Sequence, residues 1–251
     1  MRTPVIAAVV CLISAAAFAN PGPLYTEAVA KADRTAKDRE RDARDKPAEV
    51  LAFAGLQPGM TVADIFGAGG YYSELVAHVV GPSGKVLLVN NGPYVAFAGD
   101  DLKSRFEKGR LPNVERSVVE SCNLLLGENT LDAAMIVMSY HDLYYADPKQ
   151  GWPPIDAGNF LDQVHRAVKP GGAFLIVDHA AKADTDKSAA QDLHRIEEAF
   201  AKRDIASHGF VLEGTYDGLR NPADDKGVPV FEPKVRGKTD RFVHLYRKPK
   251  R

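Results

Sequence analysis

Three pairs of adjacent residues carry groups that can move protons or hold a polar ligand: His141-Asp142, Asp178-His179 and His194-Arg195. An imidazole beside a carboxylate suits general acid–base work, because the carboxylate orients the ring and stabilises its charged form. His and Asp also ligate divalent ions. However, no H-x-x-x-H, H-x-H or cysteine pair fixes a compact coordination set, so no metal is expected. A fourth stretch bears on ligand binding rather than proton transfer. Val62-Ala63-Asp64-Ile65-Phe66-Gly67-Ala68-Gly69-Gly70-Tyr71-Tyr72-Ser73 reads as an apolar strand, an acid, a glycine-rich turn and the start of a helix. Glycine lacks a Cβ and tolerates positive φ, so such a turn lets main-chain N–H groups approach a ligand closely.

The elements that must position these groups alternate along the chain. Strands are expected at 61–65, 85–90, 114–119, 133–138 and 173–177, with helices at 71–80, 95–108, 158–168 and 188–206 between and after them. Two further strands, 210–216 and 241–246, flank a polar, Pro-rich stretch and have no clear helix between them, which suggests an antiparallel pair. Residues 26–44 should form one helix, and Pro47 opens another that Gly55 ends. This order argues an α/β sheet, mainly parallel and covered on both faces. In such a sheet the carboxyl ends of the first, fourth and fifth strands share one rim. His141, Asp142, Asp178 and His179 are therefore expected beside the glycine turn. The second strand ends in Asn90-Asn91, where a nicotinamide-binding sheet would carry an acid for the ribose. An amide can still bond a hydroxyl, but without charge assistance.

The chain has 251 residues, 45% of them apolar, and a formal net charge of -1. No basic field draws it to nucleic acid or to an anionic membrane. The mixed-charge run 31–46 and the basic tail 247–251 read as solvated surface. Residues 1–19 have the form of a signal peptide: Arg2, an apolar run, then Ala17-Phe18-Ala19, with cleavage expected after Ala19. The mature chain is expected to be exported, to the periplasm, with no stable membrane insertion. It would keep Cys122 as its one cysteine, read as a small buried apolar residue. The division is then 1–19 signal peptide, 20–46 helical segment and 47–251 a single α/β domain.

With these elements in order, the chain resembles the class I S-adenosylmethionine-dependent methyltransferases, and more narrowly an exported bacterial group of predicted methyltransferases. The likeness rests on residues 62–73, 139–142 and 168–179, on His194-Arg195, and on the C-terminal stretches Leu219-Arg220-Asn221-Pro222-Ala223-Asp224-Asp225 and Arg236-Gly237-Lys238-Thr239-Asp240-Arg241-Phe242. It runs over residues 45–249. It implies a Rossmann-like sheet of seven strands, mostly parallel, with the last strand antiparallel beside the fifth and helices on both faces. It implies S-adenosylmethionine as cofactor, lying near Asp64, Gly67, Ala68, Gly69 and Gly70. The ribose would meet Asn90 or Asn91, and Ser139 and Tyr140 would flank the methionine part. The family's glycine turn carries Phe66 and Ala68 here at its first and second glycine positions.

Methyl transfer is an in-line displacement at an activated methyl group, so holding the partners in line supplies much of the catalysis. In this reading His141 is the general base, oriented by Asp142. Asp178 and His179 bind substrate, and His194 and Arg195 meet a polar or anionic part of it. The acceptor is a small molecule that the sequence does not name. Tyr71, Tyr72, Tyr140, Tyr144, Tyr145 and Trp152 are candidates for lining its pocket. The competing expectation is a non-catalytic periplasmic protein that keeps the fold to hold a small ligand.

Overall fold

Apolar residues fill both faces of one seven-stranded sheet, which is why its central strands read as nearly unbroken hydrophobic runs. The structure, a computed structural model, describes residues 21–250. The expected signal peptide, 1–19, lies outside the described residues. In chain order the elements are α1 (Pro23–Val29), α2 (Ala36–Asp45), α3 (Pro47–Ala54), β1 (Thr61–Ile65), α4 (Tyr71–Val80), β2 (Lys85–Asn90), α5 (Gly92–Arg105), β3 (Val114–Val118), β4 (Leu131–Val137), α6 (Ala157–Ala167), β5 (Val168–His179), α7 (Ala189–Leu193), α8 (Glu198–Ser207), β6 (Val211–Thr215) and β7 (Arg241–Arg247).

The sheet order is β3-β2-β1-β4-β5-β7-β6. Strands β1 to β5 pair in parallel, and β7 runs antiparallel to both β5 and β6. Alternation along each strand divides the core in two. Val62, Met135, Leu175 and Val243 face Leu51, Leu75 and Val79 on one side of the sheet. Ala63, Ala134, Phe174 and Phe242 face Phe160, Val164 and Ile205 on the other. A period of two in the strands and apolar faces on α3, α4, α6 and α8 thus yield the doubly covered sheet that the sequence predicts.

Four local expectations need correction. The single helix over 26–44 is two. Thr35 accepts the Asp38 N–H to start α2, and the Arg34 side chain bonds the Val29 carbonyl at the end of α1. The long helix over 188–206 is broken at His194, which is left-handed at φ 51°. There the chain extends so that Ile196 exchanges backbone bonds with His179 and Ala181 beyond β5. The strand expected at 173–177 begins already at Val168, and Lys169-Pro170-Gly171-Gly172 within it accompanies a register irregularity against β4 between Leu131 and Ala133. Cys122 is exposed rather than buried.

The charged run 31–46 is a solvated surface only in part. Arg34, Asp38 and Asp45 are buried, each against an opposite charge. Asp38 takes a two-pronged contact from Arg105 of α5, and Asp45 pairs with Arg241 of β7 at 2.7 Å. Asp42 accepts from Arg34 and from the Tyr71 hydroxyl. Helix α2 is therefore fastened by ion pairs over the carboxyl end of the sheet. Among the described residues no helix is long and apolar enough to cross a membrane.

Candidate active site

A cavity of about 550 Å³ opens at the carboxyl ends of β1, β4 and β5. Its floor is Asp64, Phe66, Gly67 and Ala68, and one wall carries His141, Asp142, His179 and His194. Arg41, Arg44 and Asp45 of α2 cover it from one side. Phe231, Arg236 and Thr239, from the polar stretch before β7, cover it from another. A concave site of this size is ordinary for a small-molecule ligand.

The turn after β1 keeps a glycine-like backbone without its first two glycines. Phe66 and Ala68 hold φ of 57° and 49°, a left-handed conformation disfavoured for residues with a Cβ. Such positions cost on the order of 1 kcal/mol each and persist where surrounding contacts enforce them. Here the contacts are visible. The Phe66 ring stacks on Tyr94 at 4.6 Å and packs against Phe160, so it settles into the core beneath the cavity. The Asn90 amide accepts the Ala68 N–H at 3.0 Å and donates to the Ala68 carbonyl at 2.9 Å. At Gly67 a Cβ would stand 2.4 Å from an Asp64 carboxylate oxygen, so only glycine fits.

Asp64 is the electrostatic centre of the floor. It is buried, and Oδ2 accepts the Ser73 hydroxyl at 2.6 Å. Oδ1 has no partner. Burial raises its pKa to about 6, outweighing the Ser73 bond and the distant Arg41 and Arg105.

On the wall, His141 lies in a 3₁₀ turn over His141–Tyr144. Asp178 accepts both its backbone N–H at 2.7 Å and its Nδ1 at 2.8 Å. Asp142 Oδ1 stands 3.3 Å from His141 Nε2 and 3.4 Å from His194 Nδ1, while Oδ2 accepts the Tyr94 hydroxyl. Burial alone would lower the pKa of His141. The carboxylates of Asp142 and Asp178 outweigh it and raise the ring to about 9. A ring so held favours its protonated form, which works against the general-base role expected of it. His179 differs. Burial and then the positive charge of His141 and Arg241 push its pKa well below the usual value. Its Nδ1 bonds Thr239 Oγ1 at 2.7 Å, and its ring lines the cavity.

Asp64, Gly67, Ala68, His141, Asp142, His179 and His194 thus meet around one cavity. The other expected site residues do not reach it. Gly69 turns its carbonyl to Arg105 Nε at 2.6 Å, and Gly70 packs over Phe106 and Leu88. Asn90 braces Ala68, while Asn91 caps α5 and bonds Ser121, so both amides are engaged within the protein. Ser139 is buried, and the Tyr140 hydroxyl donates to Asp204. Asp178 sits behind His141 as its anchor. Arg195 is fully buried against Asp224 and the carbonyls of Ala180 and Val228, so it fastens the 221–240 segment instead of meeting substrate. Of the aromatic set, Tyr71, Tyr72, Tyr145 and Trp152 line the cavity, while Tyr144 shares Asp204 with Tyr140. The lining residues missed include Arg41, Arg44 and Asp45 of α2, Tyr94 and Phe97 of α5, and Phe231. The signal for α2 was present: Asp38, Asp42 and Asp45 fall on one helical face, but their partners Arg105 and Arg241 lie far away in sequence.

No family model matches the chain. It is 26% identical over 144 residues to the ubiquinone/menaquinone biosynthesis C-methyltransferase UbiE of Teredinibacter turnerae, across 57% of this chain and 53% of that protein. It is 24% identical over 192 residues to an arsenite methyltransferase of Halobacterium salinarum, across 76% of this chain and 43% of that protein. The chain spans about half the length of the curated relatives it matches. A crystal structure of a SAM dependent methyltransferase from Aquifex aeolicus superposes with a TM-score of 0.60 at 21% identity, covering 84% of this chain and 97% of that one. Its sheet order and its structural relatives give the chain the Rossmann-like fold of the class I S-adenosylmethionine-dependent methyltransferases.

Proposed function

We propose that the chain binds S-adenosylmethionine over the glycine turn and methylates a small molecule held in the same cavity. One observation carries this reading: the unpartnered Oδ1 of buried Asp64, on the floor of an aromatic-walled cavity. A buried acceptor without a donor costs the folded chain about 1–3 kcal/mol. A ligand bearing an N–H group removes that cost. The amino group of S-adenosylmethionine is such a donor, so the floor fits the cofactor. Asp64 would hold that amino group, with the exposed ring of Phe97 available to the base. When bound, the cofactor supplies a methyl group already activated by its sulfonium.

The remaining work falls to this chain. Trp152, Tyr145 and Phe231 give the acceptor an apolar wall, and α2 with the 221–240 segment screens the cavity from water. Orientation is then the main contribution, because the electrophile needs no further activation. Where the acceptor must lose a proton, His179 is the ring that lines the cavity with its Nδ1 fixed by Thr239.

Calorimetry with adenosylhomocysteine tests the reading. Wild-type protein should bind it in the micromolar range, and Asp64→Ala should weaken binding roughly tenfold or more, the loss of one charge-assisted hydrogen bond. Absence of binding to both S-adenosylmethionine and adenosylhomocysteine would refute the cofactor assignment and leave the fold as a holder of some other small ligand.

A further inference from the structure

We propose that His141 Nε2, Asp142 Oδ1 and His194 Nδ1 form a site for one divalent transition-metal ion on the wall of the cavity. These three residues offer ligand atoms that all lie within 4.8 Å of one another. The two shorter edges are 3.3 Å and 3.4 Å. A tetrahedron built on bonds of about 2.05 Å, as around Zn²⁺, has edges of about 3.3 Å. Two imidazoles and one carboxylate leave positions open to a water or an acceptor oxygen, as catalytic metal sites do.

The surroundings of the three ligand atoms point the same way. Asp142 has a side chain nine-tenths buried, and its Oδ1 has no hydrogen-bond partner, although both imidazoles stand beside it. The supports behind the three ligands are also those of a metal site. Asp178 takes the Nδ1 proton of His141, which leaves Nε2 facing the cluster, and Tyr94 holds the other oxygen of Asp142. A carboxylate behind a ligating histidine fixes its tautomer and its aim. His194 reaches the cluster from the break between α7 and α8, where the chain leaves the helix. Binding would displace the proton from His141 Nε2, and a dication with two neutral imidazoles would then balance the buried carboxylates of Asp142 and Asp178.

The second group of ligand-type residues, Asp33, Glu74 and His78, makes a useful contrast. There Glu74 is already met by the guanidinium groups of Arg105 and Arg110, which leave no room for another cation.

The test is metal uptake by the full chain, independent of any turnover. After chelator treatment, titration with Zn²⁺ should show one equivalent bound with micromolar or tighter affinity, and Co²⁺ should develop the visible bands of a low-coordinate ion. His194→Ala, a partly exposed position, should lower Zn²⁺ affinity at least tenfold with an unchanged circular dichroism spectrum. Asp178→Asn, acting only behind His141, should cost about 10–100-fold. His78→Ala should leave Zn²⁺ uptake unchanged. The proposal fails if wild-type protein takes up no Zn²⁺ at sub-millimolar free metal. It also fails if His194→Ala and Asp142→Asn both retain the full equivalent. Adenosylhomocysteine binding measured on the same samples separates this outcome from failure of the cofactor reading.

Discussion

Replacing Asp64 with asparagine should make the ligand-free protein more stable at pH 8 and less able to bind its ligand. Asp64 is buried with one oxygen unpaired, and its pKa is raised from 3.8 to about 6. An acid whose folded pKa is raised lowers stability once it is ionised in both states, which here holds above about pH 6. The penalty shrinks as pH falls from 6 toward 3.8, where the folded form is protonated and the unfolded form is not, and it vanishes below. Two pKa units correspond to roughly 3 kcal/mol. The asparagine side chain of the Asp64→Asn variant would keep an acceptor for Ser73 but expose an unpaired amide N–H₂ to the cavity, so the expected gain is about 1–3 kcal/mol at pH 8. Urea unfolding of both proteins between pH 4 and pH 8 measures it. The difference should be greatest at the alkaline end and close near pH 4. A difference that is flat across this range, or an asparagine variant less stable at pH 8, would refute the charge-burial account.

The same contacts govern four other outcomes. Arg241→Met removes one of the two guanidinium partners of buried Asp45, which keeps Arg41, and also the bond to the Arg44 carbonyl, so it should destabilise the fold by about 1–3 kcal/mol and speed proteolysis of α2, read by unfolding and limited digestion. Burial works against ionisation of Glu74, but His78, Arg110 and Arg105 outweigh it and lower its pKa to about 2; relative to Glu74→Gln, wild type should therefore be more stable by roughly 3 kcal/mol above pH 4.5, an advantage lost as pH falls from 4.5 through 2. Asn90→Ala removes both side-chain bonds to Ala68, so adenosylhomocysteine affinity should fall and hydrogen exchange in the 66–70 turn should rise, with little change in the rest of the sheet. Arg195→Met should act on stability, not on ligand selectivity, since its guanidinium serves Asp224 and two carbonyls.

What the sequence made legible follows the range of the interaction that decides it. The sheet was legible because alternation along Val62–Ala63 and Met135–Ile136 is local and repeats in every strand. The meeting of Asp64, His141, Asp142 and His179 was legible because strand order puts three strand ends on one rim. The direction of individual side chains was not. Asn90 stands where a ribose ligand is expected, yet Ala68 at φ 49° needs its amide, a demand that comes from the non-glycine residues in the turn. Phe66 and Ala68 depart from the family's glycines, and Asn90 departs from its acid at the end of β2. The contacts join these departures: an amide both donates to and accepts from a peptide unit, which a carboxylate cannot do.

The three buried charges of 31–46 escape a composition-based reading for a related reason. Composition describes a helix's own residues, and α2 is polar on nearly every face. Whether such a helix is solvated depends on charges elsewhere, and Arg105 and Arg241 lie 67 and 196 residues from their partners Asp38 and Asp45. Once paired, those charges fix more than a helix. Arg105 also holds the Gly69 carbonyl, so α2, α5 and the glycine turn share one guanidinium. Arg241 links α2 to the end of β7, beside the 221–240 segment that closes the cavity. The roof and the floor of the site are therefore joined through two arginines. A ligand that shifts the glycine turn must shift α2 with it, and a rise in protection of 36–45 from hydrogen exchange on adenosylhomocysteine binding is the consequence to measure; unchanged protection there would show the two to be uncoupled.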